Sequence, residues 1–161
     1  MPAKRRHTAR EAGGSAAVVM VLALVPSASA ALPNPCTLLT NAEVAQALGS
    51  RVQNRTTQLP PTMQETTRVR MCTWTGAPLS SYRSSGDTLR LIIVPSTRSQ
   101  FLKAAKLSVG AVHVQNLGDM AYATRQSLNL LAHGYSLSIW LSSVDAHQAE
   151  TVLAHAAVKR L

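Results

Sequence analysis

Aromatic side chains are scarce in this chain, with two Trp, three Tyr and one Phe among 161 residues. Proteins that hold single-stranded nucleic acid stack its bases on such rings, and those that hold nucleotides cradle phosphate in a glycine-rich loop, which is also missing. Nucleic acid is therefore a poor partner. Acidic residues are few as well: seven Asp and Glu stand against sixteen Lys and Arg, for a net charge of +9. Glycoside hydrolysis wants two carboxyl groups flanking one cleft. Of this small set Asp119, in Leu117-Gly118-Asp119, is the one to watch, and its ordinary role is an Asx turn that bonds its own backbone.

No Gly-x-Ser-x-Gly elbow is present, so the serines read as turn and strand-surface residues, and a Ser, His, Asp triad is recognised by geometry and not by composition. His113, His133, His147 and His155 are available beside Asp119, Asp145 and Glu150. His147 and His155 fall about 80° apart around a helix and share a polar face, but a zinc site asks for three or four ligands. No motif dictates a reaction, and no metal or cofactor is implied.

Long apolar runs are lacking too. Residues 16–25 are ten apolar residues in a row, where about twenty are needed to span a bilayer. With the basic head Lys4, Arg5, Arg6 and Arg10 before them and Ala28-Ser29-Ala30 after, they describe a secretory signal peptide. Residues 1–30 are thus expected to be removed and 31–161 to form one secreted domain. Arg5-Arg6 invites a twin-arginine export route, although His7-Thr8-Ala9 follows in place of a hydrophobic continuation. Asn34-Pro35 before Cys36 matches the small-residue box of a lipid-anchor signal poorly, so no membrane anchor is expected after cleavage.

Cysteine occurs twice, at Cys36 and Cys72. In an exported chain the pair is most simply a disulfide; a metal or reactive-thiol role would want a third ligand or a His beside either one. Closing a loop of about 37 residues would stabilise the fold by roughly 3–4 kcal/mol in the chain-entropy picture. What charge there is lies unevenly. Arg51, Arg55, Arg68, Arg70, Arg83, Arg90, Arg98, Lys103 and Lys106 face only Glu65 and Asp87 in that half, a net +7, while the rest of the mature chain is close to neutral. Such a half would be drawn to phosphate or carboxylate, though ordinary solubilising charge reads the same way.

The best-specified element is the helix over residues 41–48. Thr40 and Glu43 form a capping box, Leu39 and Val44 a hydrophobic staple, and Gly49 a left-handed end. A strand begins near Arg51, and residues 56–65, with Pro60-Pro61, read as a loop. Residues 68–75 alternate so that Cys72 and Trp74 share the inward face. That parity also points Arg68 and Arg70 inward, beyond the core or across a bulge. After a Ser-rich turn region over 76–87 with Tyr82 and Arg83 at its tip, residues 88–94 are apolar on both parities, as in a central strand covered on both sides or at least well buried.

Thr97 and Gln100 cap a helix over 98–106 that shows Phe101, Leu102 and Ala105 to the core. A meander follows over 111–115, 120–124, 128–132 and 135–141, with His133-Gly134 as a tight turn. In its last strand Trp140 sits on the face away from the core and needs cover from a ligand, a partner or a loop. A closing helix over 146–159 presents Ala149, Val152, Leu153 and Ala156, and Lys159 and Arg160 suit the negative end of its dipole. The sum is an α+β domain: an antiparallel sheet of six to seven strands with three helices in two layers and one disulfide.

Pro35-Cys36-Thr37-Leu38-Leu39-Thr40 with Glu43-Val44 and Leu48-Gly49, then Cys72-Thr73-Trp74, then Leu117-Gly118-Asp119-Met120-Ala121 and a final Arg160-Leu161 resemble a family of short exported actinobacterial proteins, many of them lipoproteins, whose domain has no known function. The anchoring Cys of the lipoprotein members is missing here. The resemblance implies secretion and a Cys36–Cys72 bridge and no established activity. A more distant likeness to extracellular sensor domains of envelope kinases implies ligand binding. The expectation is a non-enzymatic binding domain for an anionic envelope polymer or lipid head group, with Arg68, Arg70, Arg83, Arg90 and Trp140 as candidate ligand contacts. A small-molecule pocket between sheet and helices near Trp74 and Trp140 is the alternative, and a hydrolase using Asp119 and a histidine a third.

Overall fold

The computed structural model describes residues 31–57, 68–78, 86–142 and 146–161, with side chains of the last stretch from Gln148 onward. The leader reading, most of the loop over 56–65, Tyr82, Arg83, Asp145 and the His147 side chain lie outside these residues.

Local signals act where the sequence places them. A one-turn helix, α1 (Pro35–Leu38), precedes α2 (Asn41–Leu48), and Asn34 Oδ1 caps it by accepting from the Cys36 N–H at 3.0 Å. In α2 the capping box is complete: the Glu43 N–H donates to Thr40 Oγ1 at 3.2 Å and the Thr40 N–H to Glu43 Oε2 at 2.8 Å. Leu39 and Val44 are buried beside it, and Gly49 ends the helix in the left-handed region. Strands β1 (Val52–Thr56), β2 (Arg70–Gly76) and β3 (Thr88–Pro95) follow, then α3 (Arg98–Leu107) under its own Thr97–Gln100 capping box. The remainder is β4 (Val112–Val114), β5 (Met120–Ala123), β6 (Leu128–Ala132), β7 (Tyr135–Leu141) and α4 (Ala146–Val158).

The seven strands form one antiparallel sheet in the order β1-β2-β3-β7-β6-β5-β4. Two meanders therefore run inward from opposite edges and meet at the β3–β7 pair. Two turns of the second meander need left-handed backbone. Gly118 has φ 60° and a Cβ there would sit 2.5 Å from the Leu131 carbonyl oxygen, so a side chain is excluded on both counts. His133 and Gly134, at φ 52° and 81°, make the two-residue hairpin turn whose twist matches the strands it joins.

One face of the sheet carries the core. Cys72 and Trp74 of β2, Leu89, Leu91 and Ile93 of β3, Leu130 of β6, and Leu137 and Ile139 of β7 are buried under α1, α2 and α4. The Cys36–Cys72 disulfide joins α1 to β2 with a Cα separation of 5.2 Å, and both residues are buried. Arg70 shares the parity of Cys72 but is exposed at the start of its strand, so it lies beyond the core. The bulge is elsewhere, in β1 between Val52 and Asn54.

Three expectations change. Ile92 and Val94 of β3 are half-buried, where a strand covered on both sides or at least well buried was expected. In α4 the buried residues are Glu150, Leu153, Ala154 and Ala157, while Val152 is 63% exposed. Small side chains at 154 and 157 let the helix lie close on the sheet and turn Val152 to solvent. In α3, Leu102 is exposed; Phe101 packs on Tyr122, ring centroids 5.2 Å apart, and on Leu131, on the sheet face opposite the main core. Among the described residues no helix is long and apolar enough to cross a membrane.

Candidate functional site

Register decides which candidates meet. Arg90 of β3 lies directly across from Thr73 of β2 and Trp140 of β7, on the face away from α1, α2 and α4. Side chains directly opposite in an antiparallel pair have Cβ atoms about 5 Å apart, and here the pair closes: the Arg90 guanidinium carbon is 5.0 Å from the Trp140 ring centroid. Arg90 is exposed and Trp140 half-buried, so the cation covers the ring from the solvent side. Thr73 and Ser138 flank the pair on the same face. Among the described residues the Arg90 guanidinium meets no carboxylate.

The other candidates do not join it. Arg70, on the opposite parity, lines a cleft of about 320 Å³ with Asn34, Pro35, Thr57, Val69 and Met71. Arg68 is exposed ahead of β2, and Arg83 lies outside the described residues. The two tryptophans are divided by the sheet. Trp74 is fully buried in the main core, where its Nε1–H donates no hydrogen bond among the described residues, and Trp140 is on the far side. A single pocket near both is thus excluded. Among the described residues one hollow of about 300 Å³ lies between α2 and α4, lined by Glu43, Gln46, Ala47, Ala149, Val152 and Leu153, and another of about 240 Å³ lies between α3 and β5.

Asp119 and His133 lie at one end of the sheet, since the Asp119 N–H donates to the Leu131 carbonyl at 2.7 Å and His133 follows β6 by one residue. Both are exposed. The Asp119 carboxylate accepts no hydrogen bond among the described residues, so the expected Asx turn is not formed. A catalytic acid–base pair needs a hydrogen-bonded partner and a cleft, and neither is built around them. No three His, Cys, Asp or Glu side chains converge as metal ligands among the described residues.

One arrangement escaped the reading of the residues. Arg160 Nη2 donates to Glu43 Oε1 at 2.8 Å and Nη1 to Oε2 at 2.9 Å, and Nη1 also donates to the Leu38 carbonyl at 2.9 Å. The Glu43 carboxyl is held down at about 2 from its usual 4.5, first by the Arg160 hydrogen bonds and then by the Thr40 backbone. The partners are 117 residues apart in sequence, so no local pattern announces the pair. Glu150, fully buried, escaped as well; it lies one position beyond the helix face that apolar spacing picks out. No family model matches the chain, and no curated protein or solved structure matches it either.

Proposed function

We propose that this chain is an exported, non-catalytic binding domain whose ligand is an anionic component of the cell envelope. The observation that carries the reading is Arg90. Stacking on Trp140 restrains a long side chain in advance, which lowers the entropy lost when its planar fork takes a carboxylate or phosphate. A surface cation whose purpose is solubility needs no such platform. The excess of basic residues between Arg51 and Lys106 supports an acidic polymer as the ligand, by long-range attraction. Export is supported by the basic head, ten-residue apolar run and small-residue site of the leader, and by a buried disulfide of the kind that oxidising compartments maintain. The resemblance to exported actinobacterial proteins and lipoproteins points the same way and supplies no activity.

The test is retention of the secreted protein on acidic cell-wall polymer and on anionic vesicles at low and moderate salt. Arg90→Gln is expected to lose retention, and Arg70→Gln, on the other face, to keep it. Equal retention of the Arg90 variant and the unaltered protein would remove the reading. The α2–α4 hollow favours a second one, a small apolar ligand. Native mass spectrometry of protein from its own host, with no co-purifying mass and no thermal shift across a lipid panel, would count against it.

A further inference from the structure

The groove between α2 and α4 changes chemistry along its length. Two hollows, of about 300 and 530 Å³, share Glu43, Val152 and Ala156 as walls, so they are successive parts of one trough. The first is walled by Ala47 of α2 and by Ala149, Val152 and Leu153 of α4. Methyl groups at 47, 149 and 156 are too short to fill the space between two helices, where longer side chains would interdigitate. Val152, on the same stretch, is 63% exposed. In the second hollow the added walls are His155, Lys159 and Arg160. Residues 149, 152, 156 and 159 follow one stripe of the helix, which passes from apolar to cationic over about 15 Å.

The charge at the cationic end is not consumed within the molecule. Arg160 grips both oxygens of the Glu43 carboxylate and so neutralises it. Lys159 and His155 are exposed, and their side chains meet no carboxylate among the described residues. An open ammonium therefore remains, with an imidazole four residues before it that can donate a hydrogen bond to an oxyanion. We propose that this groove binds a single-chain anionic amphiphile, a medium-length fatty acid, with its alkyl chain along Ala149, Val152 and Leu153 and its carboxylate at Lys159. The proposal rests on the apolar-ligand reading of the same hollow and adds to it a head group and the direction in which the chain lies. An apolar wall alone accepts any alkyl chain; a cation at one end selects the acid and orients it. The apolar part is at the lower end of small-ligand sites, about 300–1,000 Å³, which favours one chain over the two of a phospholipid. The groove is on the helix side of the sheet, opposite Arg90, so the two sites are independent.

The experiment is calorimetric titration of the protein with decanoate, decanol and decylammonium, which share one alkyl chain and differ in head charge. Decanoate is expected to bind several-fold more tightly than decanol, and decylammonium least, as pairing with an exposed ammonium would give. Lys159→Gln should bring decanoate down to the level of decanol. Val152→Glu, at an exposed position, should weaken both and leave the melting temperature of the free protein unchanged. Arg90→Gln, on the far side of the sheet, should bind decanoate like the unaltered protein. Equal binding of all three ligands would overturn the head-group assignment and leave the apolar pocket standing. Binding of none would overturn both. Decanoate binding that survives Val152→Glu and is lost with Arg90→Gln would put the ligand on the sheet face and overturn the proposal as well.

Discussion

The guanidinium of Arg160 holds the carboxylate of Glu43 through two parallel hydrogen bonds of 2.8 and 2.9 Å, and the same carboxylate completes the capping box of α2. One side chain thus serves the first long helix of the described domain and its last turn of chain together. Because the Leu38 carbonyl accepts from Arg160 as well, the tie reaches the segment next to the disulfide.

Acid should reveal this tie. Unfolded, Glu43 titrates near 4.5; folded, at about 2. Its contribution to stability is therefore fully present above about pH 4.5 and is lost as the pH falls to about 2. Glu43→Gln and Arg160→Ala are each expected to flatten the melting temperature over this interval. An unchanged acid limb in both variants would mean that the pair contributes nothing. Thr40→Ala, which removes the other half of the cap, should cost about 1 kcal/mol at neutral pH in urea unfolding.

The buried bridge makes a second measurable statement. Native protein should show no reactive thiol and, once denatured and reduced, two. Cys36→Ser with Cys72→Ser is expected to lower stability by roughly 3–4 kcal/mol in urea unfolding, on the loop-closure argument. Two free thiols in native, unreduced protein would be inconsistent with the bridge.

Tryptophan fluorescence can separate the two faces of the sheet. Trp74 is fully buried and Trp140 half-buried under Arg90, so iodide should quench the second and leave the first. Arg90→Ala uncovers the ring and should increase quenching, with a stability loss of about 0.5–1 kcal/mol, the usual worth of an exposed cation–π contact. Quenching that is the same in both proteins would show that Arg90 does not cover Trp140 in solution.

The orientation of α4 can be checked by truncation. Leu153→Ala removes a side chain with 1% exposure and is expected to cost about 2–5 kcal/mol. Val152→Ala, next to it and mostly exposed, should stay within about 0.5 kcal/mol. Comparable losses at both positions would return the helix to the face that apolar spacing alone suggested.

What was legible in the residues is what short-range chemistry dictates. Thr40 and Glu43, or Thr97 and Gln100, need only three positions between them to form a cap, and Cys72 and Trp74 need only strand alternation to face inward. A sheet of six to seven strands and the β6 and β7 boundaries followed from such signals, and the disulfide from there being two cysteines in a chain expected to be exported. Other partners far apart in the chain could not be read. Nothing near Trp140 says that β7 inserts beside β3, so the meeting of Arg90 with Trp140 and the separation of Arg70 from both emerge only from the strand order. In α4 the signal itself was weak. Small alanines fill both the buried and the half-buried positions, so the true face, which includes Glu150, differs little in apolar content from its neighbour.

The seam between β3 and β7 bears on the order in which the chain can assemble. β3 ends at Pro95 and β7 begins at Tyr135, so the middle of the sheet cannot close until nearly all of the polypeptide has emerged. Cys36 and Cys72 both precede β3 and can be joined earlier, giving a cross-linked three-strand fragment with the bare side of β3 still waiting for its neighbour. During that interval the aggregation-prone surface is a central strand, and the most dangerous stage in the life of this molecule comes before β7 arrives.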